Sequence, residues 1–239
     1  MCAGDAARVD GVRARHGMRP VVALARRPGP HRATAPAGPG ERPESVAPAG
    51  RPPRQGAPGA CGARYVARVL LEPLTLPSDR GLPGELLTEL TALYASHRDF
   101  HALSGDFPDP DDISPEQVAT ALADELAVPD AEVLLARSEG RLVGIAITLA
   151  HHPDPADPDP RIGLLMIDAG AQRHGHGRRL TSLVEDRFRA AGRTAVRLAV
   201  LGNNPGGLAF WTALGYRHLA HRRDQRMGRP CVVLRKRLD

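Results

Sequence analysis

The chain has 239 residues, a formal net charge of +5 and an isoelectric point near 9.7, and only 3% of its residues are aromatic. The positive charge is concentrated in residues 1–62, which contain ten arginines, four acidic residues and no aromatic residue. Such a Pro-, Gly-, Ala- and Arg-rich segment cannot bury enough apolar surface to offset its ordering entropy. We therefore expect a disordered tail over residues 1–62 and a nearly neutral folded domain over residues 63–239.

The same composition excludes several classes of protein. The longest apolar run of the domain, residues 142–150, is too short to span a bilayer as a helix, and no secretory signal is convincing, so we expect a cytoplasmic protein without membrane association. Cys2, Cys61 and Cys231 lack metal-ligand spacing, and we expect no metal. The tail has no aromatic side chains to stack on bases, so nucleic-acid binding is not the favoured interpretation.

The first half of the domain predicts a strand, two helices and a hairpin. "RYVARVLLEPL" (64–74) alternates like a strand, and an amphipathic helix follows Pro83. Ser114, Pro115 and Gln117 are typical of a capped helix start. Residues 131–150 predict two strands joined by a turn at 138–140, and the prolines of 151–160 predict a loop.

The second half alternates strand and helix. "RIGLLMID" (161–168) predicts a strand, and a helix follows with Leu180, Val184 and Phe188 on one face. "AVRLAVL" (195–201) is a further strand, Asn204 and Pro205 favour a helix start, and "CVVLRKRL" (231–238) is the last strand. These elements predict one mixed α/β domain.

The connection "GAQRHGHGRR" (170–179) lies between a strand and a helix N-terminus, where unpaired N–H groups and the helix dipole favour an anion. Gly175 and Gly177 permit positive φ and close backbone approach, and arginines add positive charge. The spacing matches neither a dinucleotide-binding fingerprint nor a P-loop. Taken alone, it fits a phosphate site and an ordinary glycine-containing connection equally well.

The spacing Gln172-x-x-Gly175-x-Gly177 after a strand, with "NNPGGLAFWTALGY" (203–216) one strand later, resembles the two core motifs of the GNAT superfamily of N-acetyltransferases. The resemblance covers the order of elements from about residue 64 to the end of the chain. It implies a mixed sheet whose fourth and fifth strands splay apart to admit acetyl-CoA. It also implies that the strand end pairs with the pantetheine arm, that the turn wraps the pyrophosphate and that Asn204 contacts the same arm. The implied cofactor-binding residues are Met166, Ile167, Asp168, Gln172, Arg173, His174, Gly175, His176, Gly177, Arg178, Asn204 and Trp211.

The implied chemistry is direct attack of a neutral amine on the thioester, with a backbone N–H near Ile167 stabilising the oxyanion. The family position that often carries a tyrosine acid is Trp211, whose indole will not release a proton at neutral pH. Tyr216 is expected in the core, so no acid is assigned, and a thiolate leaves tolerably without one. His151 and His152 are the candidate bases, and solvated loop histidines are the alternative.

Residues 96–113 occupy the place of the family's acceptor loop. Their five aspartates, Asp99, Asp106, Asp109, Asp111 and Asp112, either attract a cationic amine or form a solvated turn, and Phe100, Leu103 and Phe107 are the expected apolar cover. The expected function is an N-acetyltransferase acting on a small-molecule or peptide amine. The alternatives are a catalytically silent acyl-CoA sensor and a nucleic-acid-associated protein acting through its tail. The oligomeric state is not determined, and a homodimer stays open.

Overall fold

The computed structural model describes residues 68–75, 81–152, 157–224 and 227–239. The predicted tail, the boundary at residue 62, and Cys2 and Cys61 lie outside them. Within them the chain forms a mixed α/β fold with one seven-stranded sheet in the order β1-β2-β3-β4-β5-β7-β6. The strands are β1 Val69–Pro73, β2 Ala131–Ser138, β3 Arg141–Leu149, β4 Arg161–Ile167, β5 Ala195–Leu201, β6 Arg217–Arg223 and β7 Pro230–Arg237.

The helices cover both faces of this sheet. They are α1 Gly84–Ala95, α2 Arg98–Ser104, α3 Pro115–Leu126, α4 His176–Ala190 and α5 Pro205–Ala213, with a short 3₁₀ turn at Ala169–Ala171. Helices α1 and α3 pack against β2 and β3 on one face, which we call the α1 face. Helix α4 packs on the opposite face, the α4 face, where the buried side chains include Leu180, Val184 and Trp211.

Local signals explain the predicted elements that the structure confirms. Ser114 accepts a hydrogen bond from the Gln117 N–H, and the Gln117 side chain accepts one from the Ser114 N–H, so the capping box forms as expected. Asn204 caps α5 through the Gly207 N–H at 2.8 Å, and Pro205 follows in the first turn. The hairpin of β2 and β3 is also confirmed.

Two elements of the structure are not predicted from the sequence. Residues 98–104 lie within the segment that the resemblance places at the acceptor loop, and they form α2, a helix of seven residues that ends at the left-handed Gly105. Strand β6 was missed because "RHLAHRR" has no apolar alternation, being an exposed edge strand with an irregularity between His218 and Ala220. Sequence periodicity detects a strand only where one face is buried.

The centre of the sheet opens between β4 and β5. These parallel strands share one residue pair, Arg161 with Arg197, near the start of β4. Toward the carboxyl end of β4 the two strands are no longer paired, which confirms the expected splay. We call the space beyond this pair the gap.

The described residues contain no helix that combines the length and hydropathy needed to cross a bilayer. In the same residues no three His, Cys, Asp or Glu side chains are grouped as metal ligands would be.

Candidate functional site

The backbone at the end of β4 is directed into the gap at alternate residues. The Asp168 N–H donates to the Val143 carbonyl at 2.9 Å, so Gly144 and Ile167 form a non-hydrogen-bonded antiparallel pair. Ile167 and, two residues earlier, Leu165 therefore point their N–H and C=O groups away from β3 and toward the gap. Met166 and Asp168 direct their N–H groups to β3. Of the three residues expected to pair with a pantetheine arm, only Ile167 offers its backbone to the gap.

The Ile167 carbonyl oxygen already has two donors. The His97 Nε2–H donates to it at 2.6 Å, and the Gln172 Nε2–H donates at 3.3 Å. His97 is 2% exposed, and burial lowers its pKa below the usual value, so the imidazole is held neutral. This leaves the Ile167 N–H as the polar group of this residue that faces the gap. Sequence patterns did not indicate His97, because a single histidine after an apolar helix carries no motif.

The connection after β4 is held by its own side chain and by left-handed backbone. Asp168 Oδ1 accepts hydrogen bonds from the N–H groups of Gly170 at 3.0 Å and Ala171 at 3.2 Å, which makes it a cap of the 3₁₀ turn. Arg173 has a φ of 69° and Gly175 a φ of 85°. Gln172 before them is extended, so the left-handed residues bend the backbone sharply, and N–H groups exposed in such a turn can form a concavity that suits an anion.

Gly175 and Gly177 serve different purposes. Gly175 immediately precedes α4 and is left-handed, which strongly favours glycine, and a Cβ there would meet nothing within 4 Å. Gly177 lies inside α4 without a positive φ, so of the two glycines Gly175 uses the positive φ that both permit. A Cβ on Gly177 would lie 3.3 Å from Phe210 Cζ and 3.6 Å from Ile167 Cγ1. Gly177 therefore lets α4 pack closely against α5 and β4.

The N-terminus of α4 is unusually positive. Its first turn contains no acidic residue, although acidic side chains are the ones that the helix dipole favours there. Instead Arg173, Arg178 and Arg179 are placed around it, with His174 exposed and His176 half-buried. Burial and then the nearby His174 lower the pKa of His176. This arrangement favours binding of an anionic ligand over a stabilising side-chain cap.

Asn204 and Trp211 lie below the surface. Asn204 is 5% exposed and its Oδ1 is used as the cap of α5. Trp211 is 0% exposed. Its ring packs edge-on against the rings of Phe210 and Tyr216, with ring centroids 5.1 Å and 4.8 Å apart. In the described residues its indole N–H has no acceptor. Trp211 is thus a core residue, and this placement does not support its expected contact with a cofactor.

Tyr216 is also a core residue, as expected. It is 1% exposed, and its hydroxyl donates to Glu185 Oε1 at 3.1 Å. Burial, together with the Glu185 carboxylate, raises the Tyr216 pKa well above its usual value. A phenol held in this way is a poor proton donor to a departing thiolate.

The candidate bases His151 and His152 lie at the wrong end of the sheet. They follow β3, whose last residue Leu149 pairs with Arg161 at the start of β4, whereas Gly144 pairs with Ile167. His151 Nδ1 lies 3.2 Å from Asp130 Oδ2, and its Nε2 contacts Arg193. The length of β4, about 20 Å at 3.3 Å per residue, separates these histidines from the glycine turn. This geometry does not support a role for them as the base.

The aspartates of residues 96–113 are partly paired. Asp111 accepts a hydrogen bond from Arg98 Nη2 at 2.9 Å, and Asp106 lies 3.2 Å from Arg229 Nη1. Phe100 and Phe107 are 2% and 5% exposed and belong to the core of the α1 face, whereas Leu103 is exposed. The role of the two phenylalanines as apolar cover of the cleft stays a prediction, and the paired aspartates leave less negative charge than the sequence suggested.

Comparison with known protein families identifies the family to which the sequence belongs. A sequence model described as the acetyltransferase (GNAT) family matches residues 93–216, more than half of the chain. The chain belongs to the GNAT acetyltransferase family. The matched region begins in α1 and ends at Tyr216, so it contains the gap, the glycine turn and α5. No curated protein sequence matches the chain significantly.

Solved structures show the same GNAT fold. An acetyltransferase from Thermus thermophilus is 22% identical with a TM-score of 0.55, over 72% of this chain and 98% of that one. The protein smu.2055 from Streptococcus mutans is 16% identical with a TM-score of 0.52, over 71% and 99%. An N-acetyltransferase from Staphylococcus aureus is 12% identical with a TM-score of 0.50, over 72% and 100%. At these identities the likeness establishes the fold alone.

GNAT enzymes use acetyl-CoA, and the residues at the gap have the right chemistry for it. The positive turn before α4 suits a pyrophosphate, and the edge of β4 offers backbone N–H and C=O groups that suit an amide-containing arm. The absence of a Cβ at Gly177 keeps α4 close to Ile167, so the turn and the strand end lie side by side.

Proposed function

We propose that the chain is an acetyl-CoA-dependent N-acetyltransferase that transfers an acetyl group to the amine of an acceptor. The observation that carries the proposal is the gap between β4 and β5, which share one residue pair and then separate beside the left-handed turn at Gly175. Membership of the GNAT family supports the same activity.

The cofactor would bind along the edge of β4 and across the start of α4. The turn from Gln172 to Arg178 would hold the pyrophosphate through its backbone N–H groups, with Arg173 and Arg178 adding a screened attraction. Ile167 and Leu165 would offer backbone groups to the pantetheine arm from within the gap. His97 and Gln172 would hold the strand end in place, because both donate to the Ile167 carbonyl.

The reaction would be a direct transfer within a ternary complex. The lone pair of a neutral amine attacks the thioester carbonyl carbon, the C–N bond forms, and the C–S bond breaks as the thiolate leaves. An N–H of Leu165 or Ile167 would stabilise the negative charge that develops on the carbonyl oxygen. The proton lost by the amine would pass to water, since His151 and His152 lie at the opposite end of β4 from Ile167.

A catalytically silent acyl-CoA sensor is the second candidate. The observation that favours it is the buried Trp211 in the position where the family often carries a tyrosine acid, together with the buried hydroxyl of Tyr216. A sensor and an enzyme would bind the thioester equally well. Only an enzyme would release the thiol in response to an acceptor.

The test is release of free CoA thiol from acetyl-CoA by the full chain, in the presence of a panel of amino acids, peptides, polyamines and aminoglycosides. We expect thiol release that depends on one class of acceptor, with the acetylated amine identified by mass spectrometry. If calorimetry detects acetyl-CoA binding but no acceptor causes thiol release, the chain is a sensor and not an enzyme. Failure to bind acetyl-CoA would contradict both.

A further inference from the structure

Four arginines lie in register across four neighbouring strands. Arg161 of β4 pairs with Arg197 of β5, Arg197 pairs with Arg235 of β7, and Arg235 pairs with Arg217 of β6. Paired residues of adjacent strands project to the same face of a sheet, and like charges placed directly opposite are destabilising. We call these four residues the arginine row.

Two aspartates compensate the row in part. Asp159 Oδ2 lies 2.7 Å from both Arg197 Nε and Arg235 Nε, and Asp157 Oδ1 lies 2.6 Å from Arg197 Nη1. Asp157 also pairs with Arg161. Burial, followed by repulsion from Arg197 and Arg222, holds the pKa of Arg161 below its usual range. The described residues thus place four guanidinium groups against two carboxylates.

The hydrogen bonds of the row are also incomplete. The Nε–H of Arg161 is buried and has no acceptor in the part of the chain that the structure describes. A buried N–H without a partner is destabilising, and more so when it is charged. Arg217, at the other end of the row, is exposed. Asp157 Oδ1 is also buried without a well-aligned hydrogen bond among the described residues, although it lies 2.6 Å from Arg197 Nη1, so the hydrogen bonds are incomplete at the Arg161 end of the row.

The row faces the side of the sheet opposite to α4. Ile162, Leu198 and Leu234, each adjacent in sequence to a member of the row, are buried on the α4 face, so the arginines project to the α1 face. On that face α1 and α3 pack against β2 and β3 rather than against β5, β7 and β6. The exposed Arg222 of β6 pairs with Cys231 and projects to the same face.

The row also marks one end of the gap. The pair of Arg161 with Arg197 is the point from which β4 and β5 separate. The row lies at the closed end of the gap, at the opposite end of β4 from Ile167, so an acceptor whose amine lies in the gap would reach the row only with a second group that extends along the α1 face toward Arg161. A second charged group on that acceptor would then meet arginines.

We propose that the arginine row, with Arg222, binds an oxyanion of the acceptor, so that the acceptor is an amine that also carries a carboxylate or a phosphate group. This inference rests on the proposed acetyltransferase function. The anion would accept hydrogen bonds from the exposed Arg217 and Arg222, and it would reduce the repulsion between in-register guanidinium groups. An acceptor with a cationic second group would be repelled.

Anion binding is tested first on the free protein, without acetyl-CoA. The side-chain Nε–H resonances of the arginines are followed by NMR while glutarate, inorganic phosphate or the uncharged glutaramide is added. We expect saturable shifts of the row's resonances with glutarate or phosphate and none with glutaramide. The anion with the lower Kd identifies the class of oxyanion. The absence of saturable shifts with both anions would overturn the inference.

Two neighbouring arginines provide a matched pair of variants. Arg222→Gln removes a charge on the face of the row, and we expect it to weaken anion binding by about tenfold, equivalent to loss of one charge-assisted contact. Arg223→Gln removes a charge on the opposite face, where Arg223 Nη1 donates to the Gly228 carbonyl at 2.7 Å, and should leave the Kd unchanged. Equal effects of the two variants would show that general surface charge, not this row, attracts the anion.

The acceptor class is tested by turnover. A dipeptide with a free carboxylate is compared with its C-terminal amide, and a phosphorylated amine with its dephosphorylated form, in the thiol-release assay. We expect kcat/KM to favour the anionic member of the preferred pair by about tenfold or more. Equal kcat/KM values within both pairs would overturn the proposed oxyanion site without affecting the proposed acetyltransferase activity. No thiol release with any amine would contradict that activity itself.

Discussion

His97 Nε2 donates a hydrogen bond of 2.6 Å to the Ile167 carbonyl oxygen, which joins the segment between α1 and α2 to the last residue of β4. The bond crosses from the α1 side of the sheet to the edge of the gap. Because the Ile167 carbonyl oxygen already accepts this bond, it is less available to a ligand. The N–H of the same residue stays directed into the gap. His97 is therefore a positioning residue for the strand end.

The stability of the domain should depend on pH through His97. Its pKa in the folded state is lowered from 6.5 because the imidazole is buried, so the unfolded chain takes up this proton first as the pH falls. The contribution is fully present above about pH 6.5 and is lost as the pH falls toward the folded-state pKa. We expect His97→Gln to lower the free energy of unfolding by about 1–3 kcal/mol near pH 8 and to reduce its decline toward pH 5.5.

This prediction is measured by urea unfolding at a series of pH values. The matched control is His218→Gln, which removes an exposed imidazole from the edge strand β6 and should follow the parent protein. A decline with acid pH that is as steep in His97→Gln as in the parent would show that His97 is not the buried group responsible.

Trp211 should act on stability through packing. Because its ring is 0% exposed and contacts Phe210 and Tyr216, Trp211→Ala should lower the free energy of unfolding by about 3–5 kcal/mol. Trp211→Phe should cost less, since it keeps an aromatic ring and removes an indole N–H that has no acceptor in the described residues. Urea unfolding of both variants checks this order, and equal losses would contradict it.

Tyr216 should matter for stability and not for chemistry. Tyr216→Phe removes the hydrogen bond to Glu185, and we expect a loss of about 1–3 kcal/mol. Glu185 keeps Lys236, whose Nζ lies 2.7 Å from Glu185 Oε2, so the carboxylate is not left uncompensated. The rate of thiol release should stay unchanged. A fall in kcat with normal acetyl-CoA affinity would instead identify Tyr216 as the acid.

The regular parts of the fold were predictable because their signals are local. Ser114 with Gln117, and Asn204 with Pro205, mark the starts of α3 and α5 in the sequence itself, and the buried β2–β3 hairpin shows in its run of apolar residues. Helix α2 and strand β6 have no comparable signal, since α2 is too short for a period and β6 is exposed on an edge. The tertiary environment, rather than local preference, determines both.

The candidate site was predictable only where a motif describes it. Gly175 and the positive turn were found from spacing, but the separate purpose of Gly177 depends on Phe210, which contacts it from another helix. His97 and the arginine row depend on strand register and on contacts between distant segments. His151 and His152 were chosen as bases because they follow a strand, and only the register of β3 with β4 shows at which end of the sheet they lie.

The central claim is that the turn before α4 binds acetyl-CoA. Calorimetry tests it directly, because a glycine with a positive φ lies at each end of this helix. Gly175 has a φ of 85° and Gly192 a φ of 73°, and a Cβ on either would meet nothing within 4 Å. Gly175→Ala and Gly192→Ala should therefore cost a similar strain of about 1–2 kcal/mol in stability. We predict that Gly175→Ala weakens acetyl-CoA binding by about tenfold or more while Gly192→Ala binds as the parent does. Parental affinity in a folded Gly175→Ala variant would contradict the assignment of this turn as the cofactor site.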